Sequence, residues 1–348
     1  MPIIPNALER LVFVTLNQAP GPMLDLFAAV AFRSTVAAIK LGVFDRLHRS
    51  QLSTAELAQQ LGTDERGTRM LLQFLEALGY VQQTGDRYTN TPMANKWLVQ
   101  TSPTSMAPGF RYWGTILSEL WGDLEGTIRT GQPRTNLYAW IETEPATSLD
   151  FQTWMVAIAR LTGGEIVRKL KLPPTARRLL DVGGGHGMYS IALCRRYPEL
   201  SATVFDSPKA LKAAESNIAA EKMGSRITLQ PGDFLQDDLG SGYDVALLFN
   251  IVHGLSTDQN RDLVHKAVAA LSSGGLIVVA EQVAGKASGR AAKASTAMLG
   301  LSYFHLLGGQ IYTYNEIAGW LTDAGVSGLR RINLLKAPGT SLIIGTKG

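Results

Sequence analysis

The stretch that decides the fold is RRLLDVGGGHGMYSIALCRRY, residues 177–197. A short apolar run ends in Leu180 and opens into Asp181. Glycines then fall at the alternate positions Gly183, Gly185 and Gly187, with Gly184 between the first two, and a helix-like run begins at Met188. Strand, glycine turn and helix in that order describe a loop whose bare backbone approaches a ligand closely. It is not the dinucleotide fingerprint, because the third glycine of GxGxxG would fall on Met188. A tight turn with a carboxylate at its base suits a ligand that carries positive charge and hydroxyls rather than a pyrophosphate.

Working outward, the apolar runs ATVFDS, RITLQPGDF, YDVALLFNIV and LIVVAEQVA alternate with helical patterns, as buried parallel strands with crossover helices do. The C-terminal NLLK and SLIIGTKG read as a closing hairpin around Pro338-Gly339. The expectation is an α/β protein with a Rossmann-like, doubly wound sheet. Asp206 and Ser207 end the second strand, where an acid can accept hydrogen bonds from both hydroxyls of a ribose. Gly232, Asp233 and Phe234 end the third, and a carboxylate beside an aromatic ring suits the amine and the face of an adenine. Asn250 ends the fourth, where a strand edge meets the cofactor.

Together these residues describe a site for S-adenosyl-L-methionine, and the chain here resembles the class I methyltransferases, whose first motif is (D/E)xGxGxG. A narrower resemblance covers nearly the whole chain. LLDVGGGHG, FDSP, GDF, NIVH and GG…T before a late helix are similar to the small-molecule O-methyltransferases of the caffeic-acid type and their bacterial natural-product tailoring relatives. That resemblance implies a homodimer in which one subunit helps form its neighbour's pocket, and a histidine after the fourth strand as general base, here His253. Methyl transfer is an in-line displacement. The enzyme must hold the acceptor roughly 3 Å from the methyl group and remove its proton as it attacks, and imidazole, with a reference pKa near ~6.5, is suited to that near neutrality.

The resemblance also places Glu281 beside His253. It would put an acid after the histidine and a second glutamate further on, but this chain has Gly254 and Ile311 there. Fewer carboxylates mean a less stabilised imidazolium, so a weaker base, a more acidic substrate or different chemistry stay open. His253 also reads as a satisfied histidine at a strand-to-helix junction. His305, in SYFHLLGGQ, reads either as a structural histidine on a helix or as a substrate contact. Two histidines facing one pocket would also suit a metal, but the missing acid argues for none. By the same resemblance Met155 is a pocket methionine, and Phe110, Tyr112 and Trp113 read as aromatic walls. His48 and His265 read as surface or structural, and Cys194 as a small core residue.

The N-terminal part has another character. Ser53 with Glu56 fits a capping box, Gly62 ends that helix, Thr63 is expected to cap a second helix running to Gly79, and Thr84-Gly85-Asp86 suggests a hairpin. Helix, helix and wing make a winged-helix pattern, which first suggests a reader of DNA. From Ser50 to Gln100, however, four cations (Arg66, Arg69, Arg87, Lys96) stand against five anions (Glu56, Asp64, Glu65, Glu76, Asp86), the wrong sign for phosphate. A dimerisation module whose apolar first helix packs on a partner is the better reading. The expected divisions are a winged-helix dimerisation domain over 1–104, a helical connector contributing to the substrate pocket over 105–172, and the cofactor-binding domain over 173–348.

Composition agrees. The 348 residues include 45% hydrophobic and 18% charged, which excludes a disordered chain, and a net charge of +4 is too thin to argue for nucleic acid. One cysteine closes no intramolecular disulfide, and no apolar run reaches the ~18–20 residues that span a bilayer. The expectation is a cytoplasmic homodimer, binding neither membrane nor nucleic acid, that methylates a hydroxyl of a small aromatic or polycyclic metabolite. The alternatives are C-methylation or a non-methylating reaction on the same fold and, behind them, a DNA-binding regulator.

Overall fold

The computed structural model describes residues 6–285 and 289–348. The chain divides into two compact units. One runs to Glu119 and takes in Leu149–Ala157; the other comprises Leu120–Ser148 and Ile158–Gly348. The stretch 105–172, expected as a connector of its own, is therefore shared, with the Pro145–Lys169 helix contributing to both units.

In the helical unit the Met23–Leu41 helix stops at Gly42, which takes the left-handed conformation (φ 82°), and Val43–Arg49 follows. The strand β1 (Leu52–Ser53) leads into the Thr54–Leu61 helix, whose Ser53–Glu56 capping box is present and whose end is Gly62. The next helix, Glu65–Ala77, is capped by Asp64 and not by Thr63: the carboxylate accepts the Gly67 amide at 2.7 Å. The sequence pattern puts Met70, Leu71, Phe74, Leu75 and Leu78 on its apolar face, and the buried face is turned from that one. Leu72, Leu75 and Leu78 are buried, whereas Met70 is exposed. The strands β2 (Val81–Thr84) and β3 (Arg87–Asn90) form the hairpin about Gly85, and β1 adds to β3 on its other side. Ile39, Phe44, Leu47, Leu57, Leu72 and Tyr88 fill the core of this unit.

No single helix among the described residues is long and apolar enough to cross a membrane. The Met23–Leu41 and Val43–Arg49 pair is apolar enough in sum, but it bends by 62° and buries Val43, Phe44 and Leu47 in the core just named.

The larger unit is built on a seven-stranded sheet. Its strands are β4 (Arg178–Val182), β5 (Ser201–Asp206), β6 (Ile227–Pro231), β7 (Tyr243–Phe249), β8 (Leu271–Gln282), β9 (Val326–Asn333) and β10 (Thr340–Lys347), in the order β6-β5-β4-β7-β8-β10-β9. The first five are parallel, and β10 enters antiparallel between β8 and β9. The closing hairpin is present, but its first arm is Val326–Asn333 rather than NLLK. Leu335 and Lys336 lie in the turn, where their amides donate to the buried Glu165 carboxylate at 2.8 Å each.

Strand order reverses direction at β4. From there the chain winds outward through β5 and β6 on one side and through β7 and β8 on the other, which leaves a crevice at the carboxyl ends of β4 and β7. Leu180, Val182, Ala246, Leu248 and Val279, all buried, make the floor beneath it rigid.

Candidate active site

The turn at the end of β4 holds Gly183, Gly185 and Gly187 at φ 64°, 43° and 69°, backbone that side chains rarely adopt. A Cβ on Gly183 would lie 2.6 Å from Ile251 Cδ1, and one on Gly184 would lie 2.6 Å from Asp181 Cγ, so the loop is tightly seated as well as strained. Phe234 reaches the same place from the end of β6, its ring 3.7 Å from that Gly183 position.

Two carboxylates frame the loop. Asp206 accepts the Gly185 amide at 2.9 Å through one oxygen and the Ser207 amide at 2.7 Å through the other. Burial raises its pKa, against the pull of those two amides. Asp181 lies beneath the loop, almost fully buried. Its Oδ2 accepts from Ser190 Oγ at 2.6 Å, while its Oδ1 is sealed with no partner. Burial pushes this carboxyl up to about 7, with the charge of Asp206 adding to the effect and the Ser190 hydrogen bond opposing it.

Gly232 donates its amide to the Asp206 carbonyl at 3.0 Å, and a Cβ there would meet the Phe205 ring at 2.5 Å. Asp233 is exposed, and its Oδ1 accepts the Leu235 amide. Asn250 stands exposed at φ 55° where β7 ends, its amide bonded to the Ala280 carbonyl. The expected cofactor residues thus gather at neighbouring strand ends.

His253 sits in the one-turn helix Val252–Gly254 that follows β7, and Glu281 lies near the end of the adjacent β8. Both are buried. His253 Nδ1 lies 3.0 and 2.9 Å from the two carboxylate oxygens of Glu281. A carboxylate can only accept, so Nδ1 carries the proton and the lone pair belongs to Nε2. Nε2 has no hydrogen-bond partner among the described residues. The His253 carbonyl accepts the Gln310 amide at 3.0 Å, and Gly309 leaves no room for a Cβ against that carbonyl. The histidine is therefore held by backbone and side chain together, with one ring nitrogen unspent.

Comparison with known proteins agrees with this geometry. The model of the O-methyltransferase domain matches residues 121–327, and that of the O-methyltransferase dimerisation domain matches residues 25–100. The chain belongs to the O-methyltransferase family. It is 30% identical to 3-hydroxy-5-methyl-1-naphthoate 3-O-methyltransferase of Streptomyces sahachiroi, over 90% of this chain and 91% of that protein. It is 28% identical to the tetracenomycin polyketide synthesis 8-O-methyl transferase of Streptomyces glaucescens, over 95% and 97%. Among solved structures, human N-acetylserotonin methyltransferase in complex with S-adenosylmethionine superposes with a TM-score of 0.81 over the whole of both chains at 23% identity.

An O-methyltransferase of this class draws its methyl group from S-adenosyl-L-methionine, and the crevice fits that cofactor. The loop's packing leaves no room for a side chain at Gly183 or Gly184, so its backbone is bare toward a ligand, the acid at the end of β5 is the acceptor that ribose hydroxyls require, and the buried Asp181 Oδ1 is a polar atom without a partner beneath the loop.

His305 is a correction. It is buried, its Nε2 donates to the Leu120 carbonyl at 3.0 Å, and its Nδ1 accepts from Thr127 Oγ1 at 2.9 Å. Both nitrogens are spent within the fold, so it fastens its helix and offers a substrate nothing. Of the expected pocket walls, Phe110 stacks on Phe32 at 5.5 Å and packs on the core of the helical unit. Trp113 belongs to an aromatic cluster with Tyr112, Phe151 and Trp154 in that same unit, and Met155 follows Trp154 on the Pro145–Lys169 helix, half-buried.

Three tyrosines near the crevice carry no motif that would have revealed them. Tyr189 shares a hydrogen bond with Thr162 Oγ1 and sets its ring edge-on to Phe249. Tyr303 stacks on His253. Tyr138, on the Leu137–Ile141 helix, is 45% exposed yet lies in reach of the charges of both Asp206 and Glu281. Desolvation by the surrounding protein, then those two charges, push its hydroxyl up to about 12. Glu142, which ends that helix, forms an exposed ion pair at 2.7 Å with Lys209 on the helix following Asp206.

Proposed function

We propose that this O-methyltransferase methylates a hydroxyl of a small aromatic or polycyclic metabolite, with His253 Nε2 as the general base. The observation that carries the reading is the His253–Glu281 pair. The Nδ1–H, shared between the two Glu281 oxygens at 3.0 and 2.9 Å, supports the tautomer that leaves Nε2 basic. The named functions of the relatives, a naphthoate and a polyketide O-methylation, support the acceptor class.

Asp181, Gly183, Gly185, Gly187, Asp206, Ser207, Gly232, Asp233, Phe234 and Asn250 are the residues that would hold the cofactor. Bound there, S-adenosyl-L-methionine supplies an electrophilic methyl group on a positively charged sulfur. His253 orients the acceptor hydroxyl by a hydrogen bond to Nε2 and takes its proton as the oxygen attacks. Glu281 balances the imidazolium that results, and because both residues are buried that balance acts with little screening from water. The acceptor oxygen must be acidic enough to yield its proton to imidazole, which favours a phenol over an aliphatic alcohol.

The same reading includes a homodimer formed through the helical unit. Leu26, Phe27, Val30, Val36, Ile39 and Val43 recur at roughly helical spacing. The last three are buried, while the first three are exposed, as are Leu8, Leu11 and Val14 before them. Of these, Leu26, Phe27 and Val30 lie on the segment that the dimerisation model matches, and an exposed apolar row there fits a second copy of the chain.

The test pairs methyl-labelled cofactor with a panel of phenolic and polycyclic hydroxylated compounds, with mass spectrometry to find the labelled product and NMR to locate the methyl group. Label on oxygen is expected, and label on carbon overturns the O-methylation. His253→Ala should abolish turnover while cofactor affinity stays within a few-fold, and unchanged turnover removes the general-base assignment.

A further inference from the structure

The imidazole of His253 is held along one edge by Glu281, and its face is covered by an aromatic ring. The Tyr303 ring, on the Arg290–Leu307 helix, lies with its centroid 3.8 Å from that of His253 and an interplanar angle of 18°. We infer that Tyr303 is a positioning residue for the transfer, holding the plane of His253 and stabilising its protonated form by stacking. The inference rests on the reading of His253 as the base and adds a second group to it.

The geometry favours the charged state. Two neutral aromatic rings avoid a close face-to-face arrangement because their quadrupoles repel, and they prefer offset or edge-on contact. A cation over a ring face is attracted instead. A near-parallel stack at 3.8 Å is therefore better suited to imidazolium over phenol than to neutral imidazole over phenol. Imidazolium is the state His253 enters as it takes the acceptor's proton, so the contact strengthens along the reaction coordinate, and an interaction of that kind raises kcat rather than ground-state binding.

The surroundings leave this work to the ring. On β8 the charged group facing His253 is Glu281. The 308–311 loop presents backbone, the Gln310 amide bonding the histidine carbonyl, and Gly254 and Ile311 bring no carboxylate. On the Leu137–Ile141 helix the group near Glu281 is the neutral phenol of Tyr138. The imidazolium is thus stabilised by one carboxylate in the ring plane and one π face above it.

The experiment compares Tyr303→Leu, Tyr303→Phe and His253→Ala in the full-length enzyme with an acceptor from the screen above, reading kcat, KM, cofactor affinity by calorimetry and the pH profile of kcat/KM. Tyr303→Leu should lower kcat about three- to tenfold with KM and cofactor affinity within twofold. It should also move the acid limb of the profile to lower pH by about half a unit, because the unstacked imidazolium gives up its proton more readily. Tyr303→Phe keeps the face and should stay within twofold of the parent in both respects. Should thermal melts show that Tyr303→Leu does not fold, Tyr303→Met fills the volume without a π face and takes its place. A parental kcat and acid limb in the unstacked variant overturn the inference, as does equal damage in Tyr303→Phe. Turnover that survives His253→Ala overturns the base itself, a separate outcome.

Discussion

Glu281 spends both carboxylate oxygens on one nitrogen of His253, at 3.0 and 2.9 Å, and its Oε1 also accepts the Gln282 amide at 3.0 Å. The pair is thus anchored to β8 by backbone, and its charge lies where water does not dilute it. Glu281→Gln keeps the shape and removes the charge. Its kcat should fall about 100-fold, the scale on which a misoriented or unbalanced general base loses efficiency, with the cofactor dissociation constant within a few-fold. Steady-state kinetics beside calorimetry check this, and a variant with parental kcat would leave the carboxylate a purely structural group.

Asp206 governs a different step. Its oxygens hold the amides of Gly185 and Ser207, so it both shapes the glycine loop and presents the acid expected to grip the ribose. Asp206→Ala should weaken cofactor binding by roughly 10- to 100-fold through the loss of charge-assisted hydrogen bonds. Turnover at saturating cofactor should fall much less, because no proton moves at Asp206. Calorimetric titration with the cofactor and with its demethylated product measures the effect, and affinity within twofold of the parent would remove Asp206 from the site.

How much of this was legible in the chain follows from what each feature depends on. The glycine loop and Asp206 sit at strand ends, and strands announce themselves as short apolar runs, so those residues could be placed in order before any coordinates, whereas the pairing of His253 with Glu281 came from the resemblance to a family. Cap identity at Asp64 and the buried face of the Glu65–Ala77 helix were off by one or two positions. Neighbouring Thr63 and Asp64 are both good caps, and Met70, Leu71, Leu72, Phe74 and Leu75 offer two overlapping stripes. Tyr138 and Tyr303 were invisible because their place depends on tertiary structure, nearness to Asp206 and Glu281 in one case and a ring stack on His253 in the other. His305 stood open between a structural and a substrate-contact reading for a related reason: a histidine looks alike in sequence whether its nitrogens are free or, as here, both bonded.

Asp181 makes stability depend on pH in a definite direction. Its carboxyl is raised to about 7 in the fold, well above the ~3.9 of an unfolded aspartate. A group raised on folding contributes most below its unfolded pKa, and that contribution is lost as pH climbs toward 7. The protein without cofactor should therefore lose melting temperature between about pH 4 and pH 7. Asp181→Asn, which keeps an acceptor for Ser190, should flatten that slope. Differential scanning calorimetry across this range decides it, and equal slopes in parent and variant would mean that Asp181 is ionised throughout.

Glu165 should behave in the opposite sense, far from the chemistry. It is buried, and burial alone would raise its pKa, yet the Leu335 and Lys336 amides and the Lys169 ammonium outweigh that cost and draw the carboxyl down to about 2. A depressed carboxylate stabilises the fold above its unfolded pKa, near ~4.3, and the stabilisation disappears as pH falls from there toward 2. Because Glu165 closes the turn between β9 and β10, Glu165→Gln should lower the melting temperature by several degrees at pH 7, where one of three charge-assisted contacts becomes unfavourable and two weaken. The deficit should shrink as the parent approaches pH 3, while kcat at 25 °C stays within twofold. A variant as stable as the parent at pH 7 would show that the turn is held by the β9–β10 ladder alone.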